Sequence, residues 1–277
     1  MASVEDAGDV DKVEGTTLRE AATTRNAFTE LMKPKPKPDK SRTPNQFRHP
    51  ATDLMDLGNP RNHLLPYIQK PESAAPAGSV VSYNDDWVLI KDLYPKSSVH
   101  LLLLPRSPQH YVAHPFDALQ DPQFLSSAKA EVEKAKDLIA SELRRLYGSF
   151  SASERPRRDA LESDDPPDTL PPGRDWRSEV IAGIHTHPSM NHMHVHIISR
   201  DRHSPCLKHR KHYNSFNTDF FVPLEAFPLS PEECQRRWGM EWHKMDMGCW
   251  RCGKNFGNRF QRLKDHLEEE FMDWRKE

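Results

Sequence analysis

Three histidines alternate with apolar residues in the second half of the chain. His192, His194 and His196 stand at every second position, and the residues between and after them are apolar. Successive side chains of a β-strand point to opposite faces, so a strand here would place the three imidazoles on one face and the apolar residues on the core face. Imidazoles grouped in this way can ligate a metal ion, or one of them can act as a nucleophile that its neighbours orient.

A second group of reactive side chains lies closer to the end of the sequence. Cys249 and Cys252 form a C-x-x-C pair. His266 follows at a spacing close to that of a C2H2 zinc finger, and Glu270 lies four residues after His266, so both would share one helix face. Two thiolates, an imidazole and a carboxylate lie within the ligand range of zinc. The sequence therefore predicts a metal site, in which four protein ligands would leave no open position for chemistry.

The composition limits the classes of protein to which the chain could belong. It has 277 residues, a formal net charge of -2 and 24 prolines, which indicates a folded core that carries disordered segments. A net charge near zero does not indicate a nucleic-acid binder, so any basic surface must be local. The four cysteines and the lack of a signal-like or membrane-spanning apolar run predict a reducing compartment, the cytosol or the nucleus.

Strand signals lie upstream of the histidines. Runs of apolar and β-branched residues predict strands at 79–83, 86–94 and 98–106. Asn84 and Asp85 separate the first two runs and indicate a hairpin turn. These strands would extend the sheet that contains the histidine strand.

One long helix and one insertion follow these strands. Apolar residues recur at helical spacing from Pro122 to Tyr147, and Pro122 suits the first turn of a helix. Residues 148–176 are rich in Pro, Ser and charge and predict a mobile surface insertion. The predicted domains are a disordered tail at 1–58, a catalytic domain at 59–229 that contains the insertion, and a metal-binding domain at 230–277.

Several motifs together resemble the histidine-triad (HIT) nucleotide hydrolases and transferases. The run HMHVHII from His192 matches the family's triad signature, and NDDWVLIKDLYPKSSVHLLLLPR at 84–106 resembles its nucleotide-binding hairpin. The stretch from GIHTHPSMN to SPCLKHRKHYNSFNTDFFVPL is similar to the aprataxin branch, whose members hydrolyse 5′-adenylates on DNA. The resemblance implies an α+β fold, with a mostly antiparallel HIT-type sheet of about five strands, flanking helices and a small C-terminal zinc finger.

The resemblance also implies roles for the histidines. His194 would attack the α-phosphate of an adenylate and form a covalent nucleotidyl-imidazole. His192, His196 and Ser189 would donate hydrogen bonds to the phosphoryl oxygens. His100 occupies the position of the family's fourth histidine, and it would lie behind the nucleophile and fix its tautomer.

Further residues match positions that the family uses to bind its substrate. His185 would protonate the departing 5′-phosphate of DNA. Asp92 would accept the ribose hydroxyls and Lys96 would bind phosphate. Lys208 begins the basic run KHRKH, which is expected to contact the DNA backbone.

The metal site has a counterpart in fungal members of the aprataxin branch. The resemblance implies that Cys249, Cys252, His266 and Glu270 hold a structural Zn²⁺, with the adjoining Glu268 and Glu269 as alternative carboxylate ligands. Basic side chains of the finger are expected either to contact phosphates or to remain ordinary solvated groups. They are Lys254, Arg259, Arg262 and Lys264.

The leading hypothesis is a nuclear DNA-repair hydrolase that removes AMP from 5′-adenylated ends of nicked or broken duplexes. Three alternatives stay open on the sequence alone: a hydrolase of small mononucleotide esters, a non-catalytic zinc-dependent adaptor for nucleic acid, and a catalytic metal bound by the triad. Leu64, Leu65 and Tyr67 are expected either to stack on a DNA end or to belong to the core.

Overall fold

A computed structural model describes residues 57–74 and 76–277 of the chain. The predicted tail at 1–58 lies outside the described residues except for its last two positions. The strands form one antiparallel sheet in the order β1-β2-β3-β5-β4-β6. They are β1 Val80–Tyr83, β2 Trp87–Lys91, β3 His100–Pro105, β4 Val180–His185, β5 Val195–Ser199 and β6 Phe221–Pro223.

Eight α-helices and several short 3₁₀ turns surround the sheet in the described part of the chain. The helices are α1 Leu65–Gln69, α2 Pro108–Tyr111, α3 Pro115–Ala118, α4 Pro122–Tyr147, α5 Arg155–Leu161, α6 Arg210–Asn217, α7 Pro231–Trp238 and α8 Phe260–Trp274. Among these helices, none combines the length and the apolar character that crossing a bilayer would demand. The predicted α+β fold, a mostly antiparallel sheet with flanking helices, is confirmed.

The predicted hairpin joins β1 to β2. The Asn84 side chain accepts hydrogen bonds from the backbone N–H groups of Asp86 and Trp87, at 2.9 and 2.8 Å, which closes the turn. The pairing of β1 with β2 is interrupted by a register shift between Val80 and Ser82. The second and third predicted strands are longer than the observed ones at both ends, because the flanking residues form bends or irregular backbone, whereas the first is longer by one residue at its start.

The long helix α4 has the bounds that its sequence predicts. Asp121 caps its first turn by accepting hydrogen bonds from the N–H groups of Gln123 and Phe124, at 2.9 and 3.3 Å. Its apolar stripe is buried in the main core against β4 and β5. The helix thereby covers the sheet face opposite the one on which His100 and His196 lie.

The sheet has six strands, whereas about five were predicted. The additional strand, β6, pairs with β4 and has only three residues, the last of which is Pro223. So short a strand shows no alternation in the sequence, which is why it was missed. Gly183 permits the pairing, because a Cβ atom there would overlap the carbonyl oxygen of Val222.

The segment 148–176 is only in part a surface insertion. Its middle is exposed and contains α5, but Glu154, Arg174 and Trp176 are buried at its two ends. Glu154 accepts hydrogen bonds from the Trp176 indole at 2.7 Å and from Arg144 at 2.9 Å. The prediction from composition was therefore wrong for the ends, where single buried residues anchor an otherwise polar segment. The mobility of its middle stays a prediction.

The C-terminal helix α8 packs into the main core as well as against the finger. Phe271 and Trp274 lie in the same cluster as Trp176, and both make edge contacts with Tyr147 at 5.4 and 5.7 Å between ring centroids. The catalytic and metal-binding segments thus share buried side chains, and the predicted division at residue 230 stays a prediction.

The short N-terminal helix contributes to a second core. Leu64, Leu65 and Tyr67 are buried together with apolar residues of β2 and β3 on the sheet face that carries the histidines. Of the two expectations for these residues, the structure therefore supports the core and not a surface that stacks on DNA.

Candidate active site and metal centre

The three alternating histidines lie partly outside a strand. The strand β5 begins at Val195, so only His196 belongs to it, and His192 lies in the bend before it. The rings of His194 and His196 are close and nearly perpendicular, with centroids 4.8 Å apart. The His192 ring packs beside Tyr111 at 5.6 Å. The prediction of one strand with three imidazoles was wrong, because the loop from β4 enters the strand three residues later than the alternation indicates.

His194 has its tautomer fixed by the backbone. Its Nδ1 lies 2.8 Å from the carbonyl oxygen of His192, which can only accept, so Nδ1 carries the proton and Nε2 carries a lone pair. Burial lowers the pKa of His194, which favours the neutral ring. This arrangement makes Nε2 a competent nucleophile. His100 was predicted to fix this tautomer, and the structure corrects that prediction in favour of the His192 carbonyl.

His100 instead pairs with His196. Its Nε2 lies 2.9 Å from Nδ1 of His196, and its Nδ1 accepts the backbone N–H of Lys96 at 3.3 Å. His100 therefore donates from Nε2, and His196 is left with a proton on its own Nε2. That Nε2 is buried and has no hydrogen-bond partner within the described residues. Burial lowers the pKa of His100 to about 4 and that of His196 well below its ordinary value. The pair thus presents a neutral N–H donor.

His185 lies at the end of β4 and stacks near the same group. Its ring centroid is 4.3 Å from that of His196 and 4.7 Å from that of Phe216. One ring nitrogen bonds the backbone of Ser215, while Nε2 is buried without a partner in the described part of the chain. Burial is the main cause that lowers the pKa of His185. A neutral ring that donates from Nδ1 offers a lone pair at Nε2, which suits a proton acceptor. The predicted role as an acid requires this ring to be protonated first.

Asp92 and Lys96 lie on the loop between β2 and β3, beside His100. An oxygen of Asp92 is 3.4 Å from Nδ1 of His100, and the other accepts the N–H of Tyr94 at 2.7 Å. The Lys96 ammonium donates to the carbonyl of Tyr94 and is half-buried. Burial lowers the pKa of Lys96, and the charge of Asp92 opposes that shift. The loop therefore holds a carboxylate and an ammonium at the edge of the histidine group.

Asp92, His100 and His196 are close enough to hold a metal ion, with ligand atoms within 4.8 Å of one another. Their proximity has another explanation, because His100 faces Asp92 with Nδ1 and His196 with Nε2. The Nε2 of His100 donates to Nδ1 of His196 and its Nδ1 accepts the N–H of Lys96, so both nitrogens are already engaged within the protein. The arrangement favours the nucleophile hypothesis over the hypothesis of a catalytic metal.

Ser189 and Lys208 are both exposed at the rim of the site. The positive charge of Lys208 is one of the causes that lower the pKa of Lys96, which places the two cations in one electrostatic environment. The backbone carbonyl of Ser189 accepts a hydrogen bond from the Arg61 guanidinium at 3.0 Å. Among the described residues, no hydrogen bond of the Ser189 hydroxyl defines its role, so its phosphate contact stays a prediction.

Residues that no sequence motif singles out hold the loop before the triad. Arg61 bonds the carbonyls of Ser189 and Pro188, and its own carbonyl accepts the N–H of Asn191 at 2.9 Å. The amide of Asn191 also donates to the buried Asn62 at 2.8 Å. The 3₁₀ turn Pro60–Asn62 thus fixes the position of the backbone that leads to His194. Such contacts join residues far apart in sequence, so no local pattern could have revealed them.

The four predicted metal ligands come together in the finger. The ligand atoms of Cys249, Cys252, His266 and Glu270 lie within 4.8 Å of one another. Nε2 of His266 is 3.2 Å from Sγ of Cys252 and 3.1 Å from Oε1 of Glu270. Glu270 is buried, whereas Glu268 and Glu269 are exposed, so Glu270 is the carboxylate of this set. Thiolate, imidazole and carboxylate donors in a closed group fit a structural zinc ion, and these four residues would hold it.

Comparisons with known proteins agree with both parts of the chain. A HIT domain model matches residues 75–203, and a model described as a C2HE / C2H2 / C2HC zinc-binding finger matches residues 217–273. An aprataxin-like protein of Schizosaccharomyces pombe is 33% identical over 254 residues, which cover 91% of this chain and 95% of the relative. An aprataxin-like protein of Saccharomyces cerevisiae is 36% identical over 217 residues, which cover 76% and 95%.

A solved structure of an aprataxin ortholog also resembles this one. The crystal structure of the aprataxin ortholog Hnt3 in complex with DNA superposes with a TM-score of 0.62 at 33% identity, and the match covers 77% of this chain and 96% of that one. The expected zinc ion is confirmed by the finger model together with the ligand geometry.

Proposed function

The chain belongs to the aprataxin family of HIT-domain proteins, and on that premise we propose that it is a DNA-repair hydrolase that removes AMP from 5′-adenylated DNA ends. The observation that carries the proposal is the state of His194, a buried neutral imidazole whose Nδ1 proton is held by the His192 carbonyl and whose Nε2 is left as a nucleophile. The chain is thus a nucleotide hydrolase with a preorganised attacking atom. The DNA in the Hnt3 complex supports DNA as the carrier of the adenylate.

In the first step, the lone pair of His194 Nε2 forms a bond to the α-phosphorus of the adenylate. The bond from that phosphorus to the 5′-phosphate oxygen of DNA breaks, and its electron pair leaves with the DNA phosphate. The departing group is a phosphate monoester with a second pKa near 6, so its departure needs little help from an acid. The His192 carbonyl stabilises the positive charge that develops on the His194 ring.

In the second step, water attacks the phosphorus of the adduct. The neutral His185 accepts a proton from this water at its Nε2, the N–P bond breaks, and the electron pair returns to His194. AMP is the product. The Nε2–H of His196 supports both steps, because it is a fixed, buried donor for the phosphoryl oxygens.

The surroundings of the site supply groups suited to the rest of the substrate. Asp92 binds the ribose hydroxyls, while Lys96 and Lys208 meet the phosphate charge at the rim. In the finger, Lys254, Arg259 and Arg262 are exposed and contribute further attraction to the DNA backbone. The zinc ion maintains the fold of the finger and takes no part in the two chemical steps.

The substrate class implies a place of action. A hydrolase of abortive ligation ends works on chromosomal DNA, so we propose that the protein acts in the nucleus. Microscopy of a fluorescent fusion expressed at native level is the measurement, and a signal excluded from the nucleus would contradict this part of the proposal.

The decisive experiment uses a nicked duplex that carries a 5′-adenylate. We expect stoichiometric release of AMP and restoration of a 5′-phosphate that a ligase can join. Reactions quenched in alkali, where the N–P bond survives, should show one AMP on the peptide that contains His194. Release of AMP without any nucleotide on that histidine would overturn the mechanism.

A second comparison separates this function from that of a hydrolase of small nucleotide esters. We expect kcat/KM on adenylated DNA to exceed that on an alkyl ester of AMP by at least about a hundredfold, since only DNA engages the basic rim and finger. Equal values for the two substrates would favour the small-ester hydrolase.

A further inference from the structure

The residue inside the cysteine knuckle contacts the fourth metal ligand. Arg251 lies between Cys249 and Cys252 in the sequence, and its Nη1 donates to Oε2 of Glu270 at 2.6 Å. Its Nη2 forms an ion pair with Glu277. The Arg251 side chain is 30% exposed, while that of Glu270 is 11% exposed. The contact therefore lies at the partly buried edge of the metal site.

The two oxygens of Glu270 have different surroundings. Oε1 lies 3.1 Å from Nε2 of His266, among the ligand atoms, and Oε2 lies on the Arg251 guanidinium. A carboxylate can thus offer one oxygen to the metal and the other to the arginine. An imidazole at position 270 could not, because a ring that ligates with one nitrogen carries a proton on the other. That N–H would face a guanidinium that has only donors.

The net charge of the metal site also favours a carboxylate at position 270. Zn²⁺ with two thiolates, one carboxylate and a neutral imidazole carries a net charge of about -1, which the guanidinium balances. If a second neutral imidazole replaced the carboxylate, the ligand shell would be neutral and Arg251 would lose one of its two anionic partners. Outer groups that hold a ligand in this way tune both its orientation and the metal affinity.

We propose that Arg251 is the positioning residue that specifies a carboxylate, and not an imidazole, as the fourth zinc ligand. The inference concerns the finger alone and does not depend on the DNA substrate. It also explains why glutamate stands at position 270, four residues after His266, where the spacing would also accept a histidine.

The test is a double-mutant cycle in the full chain. The variants are Arg251→Gln, Glu270→His and the two combined. The measurements are zinc affinity, by competition with a chromophoric chelator, and the visible d–d spectrum of the cobalt-substituted protein. Arg251→Gln should weaken zinc binding by about 10- to 100-fold. Glu270→His should weaken it as well, and the combined variant should bind at least about tenfold more tightly than Glu270→His alone.

Two further variants separate positioning from general stabilisation. Glu277→Gln removes the other carboxylate partner of Arg251 and should leave zinc affinity and the cobalt spectrum within about twofold of the parent. Arg251→Lys keeps the charge without the planar fork, so it should restore part of the affinity lost in Arg251→Gln even if the latter variant is poorly folded. Equal zinc affinity of Glu270→His with and without Arg251 would show that Arg251 forms only a surface ion pair, and would overturn the proposal.

Discussion

At the scale of single residues, the site depends on which nitrogen of each histidine carries a proton. The His194 proton is held by a backbone carbonyl, and the His196 proton follows from its bond to His100. Neither assignment could be made from residue types. The sequence predicted that His194, His196, His100 and His185 meet, and the structure brings them together. The prediction assigned His100 as the partner of His194, which was wrong, because residue types do not reveal the local bend that brings the His192 carbonyl to the His194 ring, nor the bond that joins His100 to the distant His196.

The first prediction separates the histidine that reacts from the one that supports it. His194→Ala should lower kcat on adenylated DNA by on the order of 10⁴-fold or more, because it removes the attacking atom. His192→Ala keeps the backbone carbonyl and should cost far less. Single-turnover kinetics of AMP release would measure both. Equal losses of kcat in the two variants would contradict the assignment of the nucleophile to His194.

The second prediction concerns acid stability. Burial lowers the pKa of His100 from 6.5 to about 4, so the unfolded chain takes up this proton first as the pH falls. The stability that neutral His100 contributes is complete above pH 6.5 and is lost between about 6.5 and 4, at up to about 1.4 kcal/mol per pH unit.

The measurement is the free energy of unfolding from denaturant titrations at several pH values. His100→Gln keeps an N–H donor toward His196 but cannot titrate, so its stability should depend less steeply on pH in this window. Release of zinc at low pH affects both proteins equally and cancels in the difference. Parallel curves for parent and variant would contradict the prediction.

At the scale of elements, the sequence predicted the structure well where a single periodicity of apolar residues extends through a whole element. The helix from Pro122 to Tyr147 was predicted to the residue, because its cap, its proline and its apolar stripe all agree. The three-residue β6 and the buried ends of 148–176 were missed. There the structure depends on single residues, such as Gly183 and Trp176, whose partners lie far away in the chain.

The third prediction tests the turn that holds the loop before the triad. Arg61→Ala removes the bonds to the carbonyls of Pro188 and Ser189, and the backbone before His194 should become less well placed. We expect kcat to fall by about 10- to 100-fold, since a small misplacement of a reacting group is costly. Lys70→Ala, at an exposed position on the same segment, is the matched control and should leave kcat unchanged. An unaltered kcat in Arg61→Ala would show that other contacts hold the loop.

The fourth prediction concerns the anchored ends of 148–176. Glu154→Ala leaves the buried Trp176 indole without its acceptor and Arg144 without its ion pair. We expect a loss of about 1–3 kcal/mol in the free energy of unfolding, from thermal and denaturant melts. Glu162→Ala, at an exposed site in the same segment, is the control and should change stability by less than about 0.5 kcal/mol. Equal stabilities of the two variants would show that the ends are not anchored.

At the scale of the whole molecule, the finger and the sheet are joined by the aromatic residues of α8. Phe271 and Trp274 are buried in the core that also contains Tyr147 and Trp176. We therefore expect loss of the metal to disturb more than the finger. Zinc stabilises the folded state by binding to it. Its removal should therefore also lower the stability of the catalytic part of the chain.

The fifth prediction follows from this connection. With zinc bound, calorimetry should show one unfolding transition, and a chelator should lower its midpoint instead of creating a separate transition for the finger. Cys252→Ser, which removes a ligand at an exposed position, should reproduce the effect without chelator. Two transitions, of which only one responds to the chelator, would indicate that the finger unfolds independently.

The two edge strands of the sheet are both poorly suited to pair with a strand of another molecule, which matters for aggregation at high concentration. One margin is β6, three residues long and closed by Pro223, which has no N–H to offer. The other is β1, whose ladder is interrupted between Val80 and Ser82. A neighbouring molecule that tried to add its own strand would find too few aligned backbone groups on either side. The protein should therefore resist edge-to-edge aggregation even where no charged residues protect its edge strands.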